Sequence, residues 1–275
     1  MNMGQPVKWR PAPVMQVSAV VHVGALFAFA LQPALWPWAL GAVALNHLLL
    51  SCAVLWPRGR VLGPNLTRLP AAAVERREVS LNFDDGPDPD VTPRVLDLLD
   101  HHQAKASFFC VGEKAAARPD IVREIARRGH SVENHSYRHP HAFAFYGMRS
   151  LGREVDAAQS AIARITGQVP GFFRAPAGFR SPLLDPVLAA RGLRYVSWTR
   201  RGFDTVDGDA AAVLGRLTRG LAAGDVLLLH DGGRARTAGG EPVVLAVLPG
   251  LLEQLASAGL KSVPLPQACG SGSAV

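Results

Sequence analysis

Residues 14–56 contain no Lys, Arg, Asp or Glu, and no other feature of the chain restricts its fold as sharply. They form two apolar runs, VMQVSAVVHVGALFAFAL and ALGAVALNHLLLSCAVLW, separated by QPALWPW. A helix needs about 17–25 such residues to cross a bilayer, and each run reaches that length. Pro33 and Pro37 interrupt a helix between the runs, while Trp36 and Trp38 suit a membrane–water interface. The pattern predicts a two-helix transmembrane hairpin over residues 1–57. The alternative is a signal peptide followed by a buried helix, but no small-residue cleavage site follows Leu31 and the second run resembles the first. Lys8 and Arg10 precede the hairpin, Arg58, Arg60 and Arg68 follow it, and the turn carries no basic residue. The positive-inside rule then anchors the chain in the inner (cytoplasmic) membrane with the following unit in the cytoplasm. His22, Asn46 and His47 inside the runs are expected to hydrogen-bond between the two helices.

The charge balance adds little. Of 275 residues, 29 are Lys or Arg and 22 are Asp or Glu, a net charge of +7. Basic residues flanking the hairpin account for part of that excess. No helix-turn-helix, zinc-finger or aromatic RNA-binding signature accompanies it, so no nucleic-acid partner is expected. The three cysteines, Cys52, Cys110 and Cys269, form no CxxC pair, which argues against a disulfide framework and a thiolate zinc site.

Residues 58–77 are rich in Pro, Gly and Arg, then in Ala, and read as a juxtamembrane linker. From 78 to 268, short β-rich runs alternate with helical patterns: EVSLNF, ASFFCV, HSVENH, GFFRAP, RYVSW, DVLLLH and KSVPL are the strands. Thr92-Pro93 opens the first helix between them as N-cap and first residue. Such alternation predicts parallel strands joined by helices. Some seven repeats exceed a small open sheet, so the expected fold class is α/β, a distorted (β/α) barrel preceded by the hairpin. Residues 269–275 read as a flexible tail.

Barrels of this kind place chemistry at the C-terminal ends of their strands. The first strand ends in Asp84-Asp85, two adjacent carboxylates that need a cation or a proton to coexist. The third ends in His135, with His139 four residues on, a spacing that one helical turn would bring onto one face. One carboxylate and two imidazoles make a mixed N/O donor set suited to zinc or another divalent transition metal. The fourth strand ends in Arg174 and the sixth in His230. Taken singly, DDGP is a common turn, HxxxH an ordinary surface pair and a strand-end Arg a solvated residue. Their joint order along the strand ends is what points to a site.

These motifs resemble those of the NodB-homology polysaccharide deacetylases, carbohydrate esterase family 4. NFDDGP is similar to the family's TFDDGP, HSYRH to H(S/T)xxH, RAPAG to its RxPxG-type third motif and LLLH to its late Leu-x-His motif. The resemblance implies a distorted (β/α) barrel and metal-dependent removal of N-acetyl groups from amino sugars. Asp84 becomes the catalytic base, and Asp85, His135 and His139 the ligands of a divalent metal, Zn2+ or an ion such as Co2+. Arg174 orients the base, His230 is the general acid, Leu228 lines the acetyl pocket, and the backbone N–H of Ala177 meets the oxyanion. Asn82 replaces the family's Thr, and Ala177 an aromatic residue often found there. The DxxDW-like fourth motif is least clear: Trp198 precedes RRGFD, which makes Asp204 the candidate partner of His230. The expected substrate is an N-acetylated glycan. The hairpin adds a lipid-linked sugar losing an acetyl or formyl group as an alternative, and an inactive carbohydrate-binding barrel is a second.

Overall fold

The computed structural model describes residues 9–232 and 235–270. Lys8 and residues 271–275 of the expected tail lie outside the described residues. Helices α1 (Pro13–Leu31) and α2 (Trp36–Val54) pack side by side across a turn at Pro33–Leu35. Both are long and apolar enough to cross a membrane, and only 6% and 17% of their apolar windows are buried. A core helix would be covered, whereas Val20, Leu26 and Leu31 are about 70% exposed. Apolar surface on this scale calls for a membrane anchor or a signal sequence. Between the helices, Asn46 Nδ2 donates to Ser18 Oγ at 3.0 Å, and the Nε2 atoms of His22 and His47 lie 3.3 Å apart.

After the short α3 (Ala71–Glu75), the chain alternates as its periodicities predict. The elements are β1 (Glu78–Asp84), α4 (Thr92–His101), β2 (Ala106–Cys110), α5 (Gly112–Ala117), α6 (Pro119–Arg127), β3 (Ser131–Asn134), α7 (Met148–Thr166), β4 (Phe172–Phe173), α8 (Leu184–Ala189) and β5 (Arg194–Tyr195). There follow β6 (Arg200–Arg201), α9 (Ala210–Thr218), β7 (Val226–His230), α10 (Val243–Ser257), β8 (Lys261–Ser262) and α11 (Leu265–Cys269). All pairings in the sheet are parallel, in the order β5-β4-β3-β2-β1-β7-β6, with β8 on the N-terminal half of β1. The sheet is therefore a curled barrel with a gap between β5 and β6. Strand β6 was not foreseen; with two arginines it lacks the apolar run that marks a strand.

Alternation along β1 explains how one strand serves two purposes. Val79, Leu81 and Phe83 join a core that also holds Val95, Leu96 and Leu99 of α4 and Leu248, Leu251 and Leu255 of α10. Successive side chains of a strand point to opposite faces, so Ser80, Asn82 and Asp84 face the barrel interior. All seven residues are buried.

Sequence expectations for the linker, the tail and Thr92 differ from the structure. Residues 58–77 are built into the barrel rather than hanging free. Leu66 forms a parallel bridge with Val196, Leu69 N–H donates to the Gly224 carbonyl, and Arg68 pairs with buried Asp225 at 2.9 Å. This segment spans the gap, from Val196 just after β5 to Asp225 just before β7, and Leu69 and Ala73 enter a second core cluster. Its Pro, Gly and Arg content follows from serving as an irregular closing strand, which sequence reads as a linker. Cys269 is not part of a tail: it ends α11 and is buried in that same cluster. Thr92 lies within the helix instead of capping it. Its hydroxyl donates to Asp231 at 2.6 Å and accepts from Asp88 N–H.

Candidate active site

The C-terminal ends of β1, β3, β4 and β7 converge on one cleft, lined by Asp84, Asp85, His135, His139, His141, Ala177, Gly178, Trp198, Arg201, Thr205, Leu228 and His230. The register brings them together: Asp84 pairs with His230 and Asn82 with Leu228 across β1 and β7, while β4 joins β3 at Phe173 and Asn134.

Asp85, His135 and His139 lie with their donor atoms within 4.8 Å of one another. Asp85 Oδ1 is 3.3 Å from His135 Nε2 and 3.1 Å from His139 Nε2. Donors on a tetrahedral ion with bonds near 2.1 Å sit about 3.4 Å apart, so this donor set fits a small divalent cation. The tautomer fits as well. His135 Nδ1 lies 2.9 Å from the Arg174 carbonyl, which takes the ring proton there and leaves the Nε2 lone pair for a metal. Burial alone would raise the Asp85 carboxyl; the two imidazoles that face it outweigh this and hold the group well below the usual carboxylate range. Asp85 is accordingly ionised, as a ligand must be.

The two histidines do not share a helical turn. Residues 135–140 form a bend in which Ser136 and His139 adopt φ of 62° and 53°. Asn134 Oδ1 accepts from Ser136 N–H, and Ser136 Oγ accepts from His139 N–H. Short polar side chains that capture nearby backbone N–H groups offer the chain this alternative to a helix. The fourth residue still arrives beside the first, by a different route.

Asp84 is 2% exposed and meets Arg174, itself 1% exposed, at 2.6 Å through Oδ1. Its Oδ2 lies 3.8 Å from His135 Nε2, on the metal side. Arg174 is fixed by four further contacts: Nη2 donates to Asn82 Oδ1 at 2.6 Å and to the Ser197 carbonyl, Nε donates to the Val196 carbonyl, and the guanidinium stacks 4.0 Å over Phe109. Asn82 thus positions the arginine, a role that sequence inspection missed because it shows only a departure from Thr.

His230 Nδ1 lies 2.9 Å from Asp204 Oδ1, and His230 N–H donates to Asp204 Oδ2 at 2.7 Å. Burial alone would lower the imidazole pKa; the Asp204 carboxylate, aided by Asp84 and Asp85, raises it above the ordinary value. Ala177 and Leu228 line the cleft, with Ala177 at φ 55°. Of the seven non-glycine residues at positive φ among the described ones, Asp85, His139 and Ala177 line the cleft and Ser136 and Phe203 adjoin it in sequence. Strain concentrated this way marks a functional site.

Sequence inspection also passed over His141, Thr205 and Asp231. His141 lines the cleft beside His139. Asp231 is buried against Gly86, where any side chain would overlap its carboxylate, and burial pushes its carboxyl up to about 7. The signal for Asp231 lay in its adjacency to His230.

Comparison with known proteins agrees with this architecture. Residues 71–196 match the polysaccharide deacetylase family. The chain is 33% identical to a chitooligosaccharide deacetylase of Azorhizobium caulinodans over 71% of its own length and 97% of the relative's. Among solved structures, the peptidoglycan N-acetylglucosamine deacetylase Bc1960 superposes with a TM-score of 0.67 at 28% identity, covering 74% of this chain and 92% of that one. A family 4 carbohydrate esterase from Streptomyces lividans, in complex with acetate, gives a TM-score of 0.61 at 34% identity over 67% and 91%. The chain belongs to the polysaccharide deacetylases of carbohydrate esterase family 4, whose members are metal-dependent hydrolases.

Proposed function

We propose that this chain hydrolyses the N-acetyl group of an amino sugar in an oligosaccharide or polysaccharide, with Zn2+ held by Asp85, His135 and His139. The observation that carries the reading is the packing of one ionised carboxylate and two imidazoles, donors inward, beside a second carboxylate already held by an arginine. Such an ion supplies Lewis-acid polarisation of the amide carbonyl and a lowered water pKa. Asp84, steadied through Oδ1 by Arg174, presents Oδ2 to take the proton of the attacking water. The Ala177 N–H donates to the oxygen that becomes negative as the carbonyl carbon turns tetrahedral. His230, with Asp204 fixing Nδ1, gives the Nε2 proton to the departing amine as the C–N bond breaks. Leu228 packs against the acyl methyl. The products are acetate and a free amino sugar, so water's atoms are accounted for.

Acetate release from N-acetylated chito-oligosaccharides, measured with and without chelator, tests the assignment. Release abolished by chelator and restored by Zn2+ is expected; release indifferent to chelator would overturn the metal role.

A second substrate reading draws on the hairpin. A Cβ built on Gly178, at the lip of the cleft, would lie 3.3 Å from Pro57, the third residue after α2. Asn65 Nδ2 fastens the same turn by donating to the Pro57 and Gly59 carbonyls. A cleft so close to the end of a membrane span favours a substrate that is itself lipid-linked. The hairpin acts as the anchor, with the barrel on the cytoplasmic side. A C-terminal alkaline phosphatase fusion should then be inactive, and an active fusion would place the barrel on the opposite side.

A further inference from the structure

The cleft contains one guanidinium that neither the proposed mechanism nor the fold employs. Strand β6 pairs with β7 so that Arg200 stands beside Leu227 and Arg201 beside Leu228. Alternation sends the two arginines to opposite faces. Arg200 meets the buried Asp225 at 2.5 Å, whereas Arg201 lines the cleft with Leu228. Several other barrel arginines are ion-paired: Arg174 with Asp84, Arg180 with Asp185 and Arg216 with Asp207. Arg201 has no ion pair among the described residues, and its Nε is buried without a hydrogen-bond partner. Its charge rests on two rings, 4.9 Å from the centroid of Phe203 and 5.3 Å from that of Trp198.

Arg201 is half-buried, and burying its Nε–H without an acceptor is costly, a cost that cation–π contacts offset only in part. Phe203 is moreover held at φ 63°, a conformation unfavourable for an aromatic residue. The two rings flank the guanidinium, and its Nη groups, which have no hydrogen-bond partner among the described residues, are left for a ligand. With Asp204 as the second acid of the DxxDW-like motif, Arg201 stands where that motif has its first acid, so the charge at this position is reversed.

We propose that Arg201 is an oxyanion receptor, and that the amino sugar deacetylated here carries a phosphate or carboxylate close to its N-acyl group. This rests on the deacetylase reading above. The planar fork of arginine matches both oxyanions bidentately, and a neutral chito-oligosaccharide offers it no charged acceptor. The closeness of the cleft to Pro57 favours a phosphate joining the sugar to a lipid.

The test compares kcat/KM on four N-acetylated substrates with the full chain in detergent or vesicles: a neutral chito-oligosaccharide, N-acetylglucosamine 1-phosphate, the same sugar on a polyprenyl phosphate, and N-acetylmuramic acid. A preference for an anionic over the neutral substrate of about ten- to hundredfold is expected, the worth of one hydrogen bond between charged groups. Arg201→Gln should bring that ratio near one, and Arg201→Lys should keep part of it. The substrate with the largest ratio identifies the source of the oxyanion: soluble phosphate, lipid phosphate or carboxylate. A wild-type ratio near one, or a ratio unchanged in Arg201→Gln, overturns the inference and leaves the deacetylase reading intact. No acetate from any substrate would remove both.

Discussion

Two of the molecule's imidazole pairs, His22–His47 between α1 and α2 and His135–His139 at the mouth of the barrel, have different outcomes. In the hairpin, His22 Nδ1 bonds the Ser18 carbonyl at 2.7 Å, and its Nε2 meets His47 Nε2. In the barrel, His135 Nδ1 bonds the Arg174 carbonyl, and its Nε2 meets Asp85 Oδ1. Each ring is oriented by a backbone carbonyl; what differs is the group facing its free nitrogen. A second imidazole can share a proton with the first and close the polar groups on each other inside an apolar hairpin. A carboxylate with another imidazole beside it concentrates negative charge and lone pairs, which a cation satisfies. Chemistry thus depends less on histidines being close than on the third group aimed at them.

Substitutions in the two clusters should separate these roles. His135→Ala is expected to lose at least about a hundredfold in metal affinity and essentially all turnover, whereas His22→Phe leaves metal content unchanged; metal analysis of the purified proteins decides. Asp84→Asn should keep its metal while kcat falls by about 10²–10⁴-fold, the usual contribution of a general base. An Asp84→Asn enzyme working at the native rate would remove Asp84 from the base role.

Arg174→Ala strands the Asp84 carboxylate in a buried site, and a loss of about 3–5 kcal/mol should appear in denaturant unfolding. The pH dependence tests the acid. A raised His230 pKa keeps the imidazolium at higher pH, so activity falls as pH rises through that pKa. Removing the charge in Asp204→Asn lowers the pKa and should move the alkaline limb of the kcat profile to lower pH. An unmoved limb would assign the titration to another group. The smallest effect belongs to the hairpin: Asn46→Leu, which breaks the bond to Ser18, should weaken helix association by about 0.6–1.7 kcal/mol without altering turnover.

Much of this site is legible in the sequence, for a physical reason. A barrel strand ends where its apolar alternation ends, so polar residues at those points, Asp84, Asp85, His135, Arg174 and His230, announce themselves against an apolar background. The paired apolar helices are equally legible, since two uncharged runs are parted by prolines where the turn falls. Residues whose role lies in a partner are not legible. Asn82 reads as a substitution until Arg174 is seen on its Oδ1, and Asp204, the candidate that RRGFD offers, is tied to His230 only by the bonds to its N–H and Nδ1.

Local pattern by itself determined the order of strands and helices apart from β6, the two apolar runs and the identity of the strand-end groups, because periodicity and charge are properties of neighbours along the chain. Tertiary structure alone decided that residues 66–69 close the barrel, that HSYRH bends through positive φ, and that Arg201 turns into the cleft while Arg200 turns away. Those outcomes depend on hydrogen bonds and register between segments far apart in sequence, where no local period reaches.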